Sequence, residues 1–223
     1  MDVNEVYKLM LFCVAKNKSQ GYLSPSDFET SFNQAQKSYA AYLLGGFNTY
    51  MPGRPISRVE IGNNQTVRQR LSPIIYGYNL SIDGTGFSSY PGDFLNTDAM
   101  WSYYGYNRIR YVQQDSLWSY YNSVIDPIAT NPIYLSEDVG FRFYPSSTGN
   151  AKLSYVRNPP NVVWGYTDDV NGRPVYSEAL STQPVWDDAS MLEIIVRALA
   201  IVGVNLQLNV VIGYSQQIKT QGQ

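Results

Sequence analysis

The chain of 223 residues carries 16 Lys plus Arg against 18 Asp plus Glu, a net charge of −2, and it contains no histidine. That balance excludes the basic footprint of a protein that grips nucleic acid. The missing imidazole excludes Ser-His-Asp and Cys-His nucleophilic machinery and His-containing zinc sites.

Hydrophobic residues make up 44% of the chain, enough to build a sizeable core, whereas charged residues make up only 15%. Tyrosine occurs 20 times. A phenol ring buries a large apolar area, keeps one polar tip and loses little rotamer freedom, so a surface poor in charge and rich in Tyr suits contact with other protein. The single cysteine, Cys13, falls in an apolar helical stretch and reads as a buried, reduced thiol. No targeting segment is read at the start, where Asp2 and Glu5 are acidic.

In chain order, Val3, Val6, Tyr7, Met10, Cys13 and Val14 recur at helical spacing and predict a helix over residues 3–17. Gly21 and Pro25 mark a break. Ser26 with Glu29 three residues on reads as a capping box that opens a second helix, running to about Leu44 and ended by Gly45-Gly46. Residues 63–71 predict a short helix stopped by Pro73, and residues 74–106, dense in Gly, Tyr and Ser, read as irregular, with Leu80-Ser81-Ile82 a short strand entering a turn at Asp83-Gly84. Residues 106–112 read as a strand, and residues 115–125 as a helix facing Leu117, Trp118, Tyr121 and Val124 inward. Strands are expected at 133–135, 139–144 and 152–157, the last two pairing as a hairpin.

Asn158-Pro159-Pro160 breaks the chain, and residues 161–184 read as irregular with turns at Asp168-Asp169 and Asn171-Gly172. A long helix is expected from Trp186 to about Ser215, with Asp187 and Asp188 at its positive end and Leu192, Ile195, Val196, Leu199 and Val202 as its apolar stripe. Gly203 is placed to bend or divide it. Residues 194–214 are the most apolar in the chain, but Arg197, Asn205, Gln207 and Asn209 would be costly in a bilayer, so a buried or interface helix is the reading. The sum is an α+β chain, mainly helical: an N-terminal helical hairpin and the long C-terminal helix form a bundle, joined by a small antiparallel β-hairpin or sheet and long irregular loops. One domain spans residues 1–223, with a loop-rich insertion at 74–105 and a flexible tail at 216–223.

Chemistry-bearing motifs are sparse. No phosphate-binding loop is present, and Gly84 and Gly86 lack the third glycine of a dinucleotide fingerprint. The pairs Asp168-Asp169 and Asp187-Asp188 read as turn and cap residues, because adjacent side chains point in different directions. A calcium site at Asp168 and Asp169 lacks the ordered spacing of oxygen ligands. No metal and no cofactor are expected. Arg108 with Arg110, and Arg68 with Arg70, read as solvated faces or ion-pair partners, or as contacts to acidic patches of a neighbour. The interface candidates are Trp101, Tyr103 and Tyr104, with Trp164 and Tyr166 after the Pro-Pro break; Trp118 and Trp186 read as core.

Three segments carry a resemblance: Leu117-Trp118-Ser119-Tyr120-Tyr121 leading to Asn131-Pro132-Ile133-Tyr134; Tyr155-Val156-Arg157-Asn158-Pro159-Pro160 followed by Val163-Trp164-Gly165-Tyr166; and Pro184-Val185-Trp186-Asp187-Asp188 opening the last helix. With the N-terminal hairpin, they resemble ring or adaptor proteins of the head–tail connector in short-tailed bacteriophages, crAss-like phages above all. The resemblance implies a structural virion protein rather than an enzyme. It would form a homo-oligomeric ring, expected to be twelve-fold, on the portal protein or against neighbouring tail or ring proteins. DNA would pass through the lumen without sequence-specific binding, and no membrane would be involved. The alternative is a carbohydrate- or receptor-binding tail component, which predicts a β-dominated fold.

Overall fold

The computed structural model describes residues 1–17, 22–45, 65–103, 107–120 and 126–203. Five α-helices and nine strands occur among them. The chain contacts group into two compact units, Met1–Ile56 with Pro159–Gln223, and Ser57–Asn158.

The first unit holds α1 (Val3–Asn17), α2 (Pro25–Leu43) and α5 (Asp188–Ile201), with α5 packed on both others. Helix α2 does not start at a Ser26/Glu29 box. Ser24 is the N-cap: its hydroxyl accepts the Asp27 amide at 3.1 Å, and Pro25 fills the first turn, where a missing N–H costs nothing. Glu29 is thereby free for another task. After Pro160 the chain pairs with another backbone segment only at an antiparallel Val163–Thr182 bridge, and α2 supplies hydrogen bonds to the residues on either side. Gln36 Nε2 donates to the Pro160 carbonyl at 2.8 Å. Asn33 accepts the Val162 amide at 2.7 Å and donates to the Val162 carbonyl at 3.0 Å. Glu29 accepts the Trp164 amide at 3.0 Å. Residues 29, 33 and 36 share one helix face at one-turn spacing, so a helix flank acts as this segment's partner. Gln36 is fully buried, and its remaining oxygen accepts from Trp186 Nε1 at 3.3 Å. Tyr39 on α2 donates to Ser190 on α5 at 3.1 Å, and the Arg197 guanidinium lies 4.8 Å from the Tyr42 ring.

Helix α5 stops at Val202, and Gly203 adopts φ +76°, the left-handed turn-off that glycine makes without a Cβ clash. Helix α5 thus runs Asp188–Ile201 and is broken at Gly203, the residue placed to bend or divide it; residues beyond, including the rest of the stretch expected to reach Ser215 and the tail at 216–223, lie outside the described residues. Within 161–184, read as irregular, β8 (Tyr166–Asp168) and β9 (Pro174–Tyr176) form an antiparallel hairpin.

The second unit is built from strands. A three-stranded sheet runs β1 (Ile75–Leu80), β7 (Ala151–Arg157), β3 (Phe94–Ser102); a four-stranded sheet runs β2 (Phe87–Ser89), β6 (Gly140–Tyr144), β5 (Ile133–Ser136), β4 (Arg110–Tyr111). All pairings are antiparallel except β4 with β5. One core cluster draws Leu80, Met100, Leu153 and Tyr155 from the first sheet and Tyr134, Phe141 and Phe143 from the second, so the two sheets face each other across it. The other face of β5 packs Ile133 and Leu135 against Val112 and Leu117, the latter on the short helix α4 (Leu117–Tyr120). Helix α3 (Gln65–Leu71) is held to β3 by a two-bond Arg68–Asp98 pair at 2.8 Å.

These sheets overturn the mainly helical reading. Strands make up about 27% of the described residues, in three sheets, and the largest structured part is strand-rich rather than a helical bundle. The stretch from residue 74, read as irregular, contains the whole of β1, β2 and β3. The expected β6–β7 hairpin does not form, because β7 already has β1 and β3 on its two edges and β6 has β2 and β5. No helix among the described residues is long and apolar enough to cross a membrane.

Candidate assembly surfaces

The expected interface residues fall into two groups, one in each unit. In the second unit Trp101 lies on β3 in register with Lys152 and is half-buried. Tyr103 is exposed, with the Lys152 ammonium 5.3 Å from its ring centre. Tyr104 lies outside the described residues. In the first unit Trp164 and Tyr166 are brought together, ring centres 5.7 Å apart. Trp164 is not a surface anchor: it is 4% exposed, packed 4.4 Å from the Tyr7 ring and 5.9 Å from that of Tyr176. Its neighbour Gly165 passes so close to Leu180 that an added Cβ would lie 2.3 Å from backbone carbon. Tyr166, 44% exposed, is the member of this stack that faces solvent.

The other tryptophans reverse and keep their readings in turn. Trp118, read as core, is 78% exposed, since Leu117 takes the inward position of that short helix. Trp186, read as core, is 6% exposed. Cys13 is a free, half-buried thiol.

The acidic pairs serve the backbone. Asp169 accepts the amides of Arg173 at 3.0 Å and Asn171 at 2.7 Å, which hold its carboxyl below the usual range and fix the β8–β9 turn. Asp83 does the same for the β1–β2 connection, accepting from the Thr85 hydroxyl and from the Phe87 and Thr85 amides, and its carboxyl is likewise lowered. Asp187 takes the N-cap position of α5 without a side-chain cap bond, and Asp188 receives the Met1 ammonium. Among the described residues no group of three or more His, Cys, Asp or Glu side chains is placed to hold a metal.

Three surface features were missed in the sequence. An open cleft of about 680 Å³ in the second unit is lined by Asn107, Arg108, Arg110, Tyr111, Thr130 and Asn131. At the tip of the β8–β9 hairpin, Val170 is fully exposed at 102%. On α5, Leu192 and Val196 lie one turn apart and are each 54% exposed, whereas Ile195 and Leu199 face inward. The stripe read as one apolar band is thus two faces, one in the core and one outside.

No protein-family model matches the sequence, and no curated protein matches it.

Proposed function

We propose that this chain is a structural virion subunit that assembles into a ring at the head–tail junction of a phage and surrounds the DNA channel. The observation that carries this reading is the large apolar and aromatic area left open on otherwise well-packed units. Phe12, Tyr42, Trp118, Val170, Leu192 and Val196 are each more than half exposed. Single exposed apolar residues are ordinary, but paired ones on a helix face such as Leu192 and Val196 are the kind that assembly buries. A ring needs two different faces on each subunit, joined by a rotation that closes. The role is mechanical: seal the joint, hold the tail and leave a lumen. Electron microscopy of the purified full-length protein, alone and with its particle's portal protein, is expected to show annular particles. Isolated monomers under both conditions would contradict the reading.

A carbohydrate- or receptor-binding tail component is the second reading, favoured by the two-sheet unit carrying Trp101 and the exposed Tyr103. A glycan array separates the two: binding lost in Tyr103→Ala supports this second reading, and no binding removes it.

A further inference from the structure

We propose that the Arg108–Arg110 cleft of one copy receives the β8–β9 hairpin tip of a second copy, so that Asp168 meets the two guanidinium groups and Val170 packs against Ile128 and Tyr111. This inference rests on the ring reading and names the contact that builds the ring.

Arg108 and Arg110 are two residues apart on extended chain, so their side chains leave it on the same side. Both are exposed and both line the cleft. Two other arginines are paired internally: Arg68 holds Asp98 through two bonds of 2.8 Å, and Arg142 holds Glu137 at 3.0 and 3.2 Å. Among the described residues, neither Arg108 nor Arg110 has a carboxylate partner. The cleft also has an apolar border. Tyr111 is 56% exposed, and Ile128, which accepts the Asn131 amide at 2.9 Å to close the adjoining turn, is 55% exposed.

The hairpin tip offers the matching chemistry. Asp169 is consumed by the turn, which makes the tip rigid. Asp168 is exposed and has no side-chain partner among the described residues, and Val170 stands wholly in solvent. The one basic residue of the tip, Arg173, has its amide tied back to Asp169. A rigid acidic and apolar knob and an open basic cleft with an apolar edge are complementary in charge and polarity. A knob and a socket on different patches of the same chain make a heterologous contact, which propagates from copy to copy and gives a ring where the rotation between copies closes. A chain of net charge −2 with only two cleft arginines suits a protein carboxylate better than a nucleic-acid backbone.

The test is cysteine trapping in the full-length protein with Cys13→Ser. Val170→Cys combined with Thr130→Cys is expected to give disulfide-linked multimers on mild oxidation. The two single variants mixed together are expected to stop at one cross-link per pair, because each brings only half of the contact. Arg108→Glu with Arg110→Glu should weaken self-association about tenfold or more; Arg110→Asp with Asp168→Arg should restore much of it. Absence of cross-links above the single-variant background overturns the pairing. If wild-type rings are still seen by microscopy, the ring reading survives that loss; if only monomers are seen, both fall. Phosphate or oligonucleotide binding that depends on the two arginines, with no cross-linking, would assign the cleft to a phosphate ligand instead.

Discussion

Asn33 shows how much structural weight one side chain carries here. Its amide bonds both backbone groups of Val162, which belongs to no strand. Asn33→Leu keeps the volume and removes both bonds, leaving a buried N–H and C=O without partners, and is expected to cost about 2–4 kcal/mol. Chemical denaturation measures this, and a loss under about 1 kcal/mol would mean water takes over the role. The Arg68–Asp98 pair behaves similarly, since the Asp98 carboxylate is only 8% exposed and also accepts from Ser154 at 2.8 Å. Trp164→Ala should destabilise the first unit by about 3–5 kcal/mol, the range for a buried aromatic, rather than act only on assembly. Residue-scale reasoning from the sequence identified Trp186 as core but exchanged Trp118 and Trp164. Helical spacing could not tell which flank of a four-residue helix faces inward, and the ring that covers Trp164, Tyr7, lies 157 positions away in the chain.

Tyrosine protonation gives a pH signature at the same scale. Burial first of all pushes the Tyr7 and Tyr155 phenols up to about 12; for Tyr155 the bond to Asp93 adds to it. A phenol raised in the folded state contributes stability that is complete below its unfolded value of about 10 and is lost as pH climbs from there through about 12. Ultraviolet difference absorbance should therefore show a late-titrating signal that diminishes in Tyr7→Phe and in Tyr155→Phe and diminishes further in the double variant. Ordinary titration of both phenols near their unperturbed value would contradict this. The lowered carboxyls of Asp83 and Asp169 work in the opposite window: their turns are held above the usual carboxylate range and loosen as pH falls through the depressed values.

At the scale of elements, helices α1 and α2 and strands β5, β6 and β7 were legible, whereas strands β1 to β3 and the sheet pairing were not. Helix α1 spans Val3–Asn17, where periodicity placed a helix, because its apolar positions have no competing signal. The α2 start was misplaced by two residues, since Ser24 and Ser26 are equally good caps and only Pro25 between them discriminates. The 74–105 stretch was read as loop on its Gly, Tyr and Ser content. Tyr is a good strand former, however, and in β1 Tyr76 and Tyr78 stand exposed on either side of Gly77 while the neighbouring β7 buries Leu153 and Tyr155. Pairing was less legible still: β7 takes partners 49 to 81 residues upstream, which local pattern does not encode. Gly140 is a strand position with a decisive local reason, since an added Cβ would meet the Ser88 carbonyl at 2.3 Å and the Phe87 ring at 2.7 Å. Gly140→Ala should therefore separate β2 from β6, read as lost amide protection in hydrogen exchange confined to residues 87–89 and 140–142.

For the whole molecule, composition pointed to function more than motif did. Few charges and many tyrosines suggested surfaces completed by other protein, and the tyrosines divide between the two roles: Tyr7, Tyr39, Tyr134 and Tyr155 are buried, while Tyr22, Tyr42, Tyr76, Tyr111 and Tyr166 are exposed. Arg108 with Arg110 and the turns at Asp168-Asp169 and Asn171-Gly172 were legible as local motifs, but the cleft was not, because residues 107–111 and 130–131 that line it lie apart in the chain. If such surfaces exist to be covered, the free subunit is an incomplete object. Native mass spectrometry of the full-length protein over a range of concentrations tests this most directly. A single closed species of high copy number, appearing at the expense of monomer without intermediate ladders, is the expected result. A monomer at every concentration would contradict it.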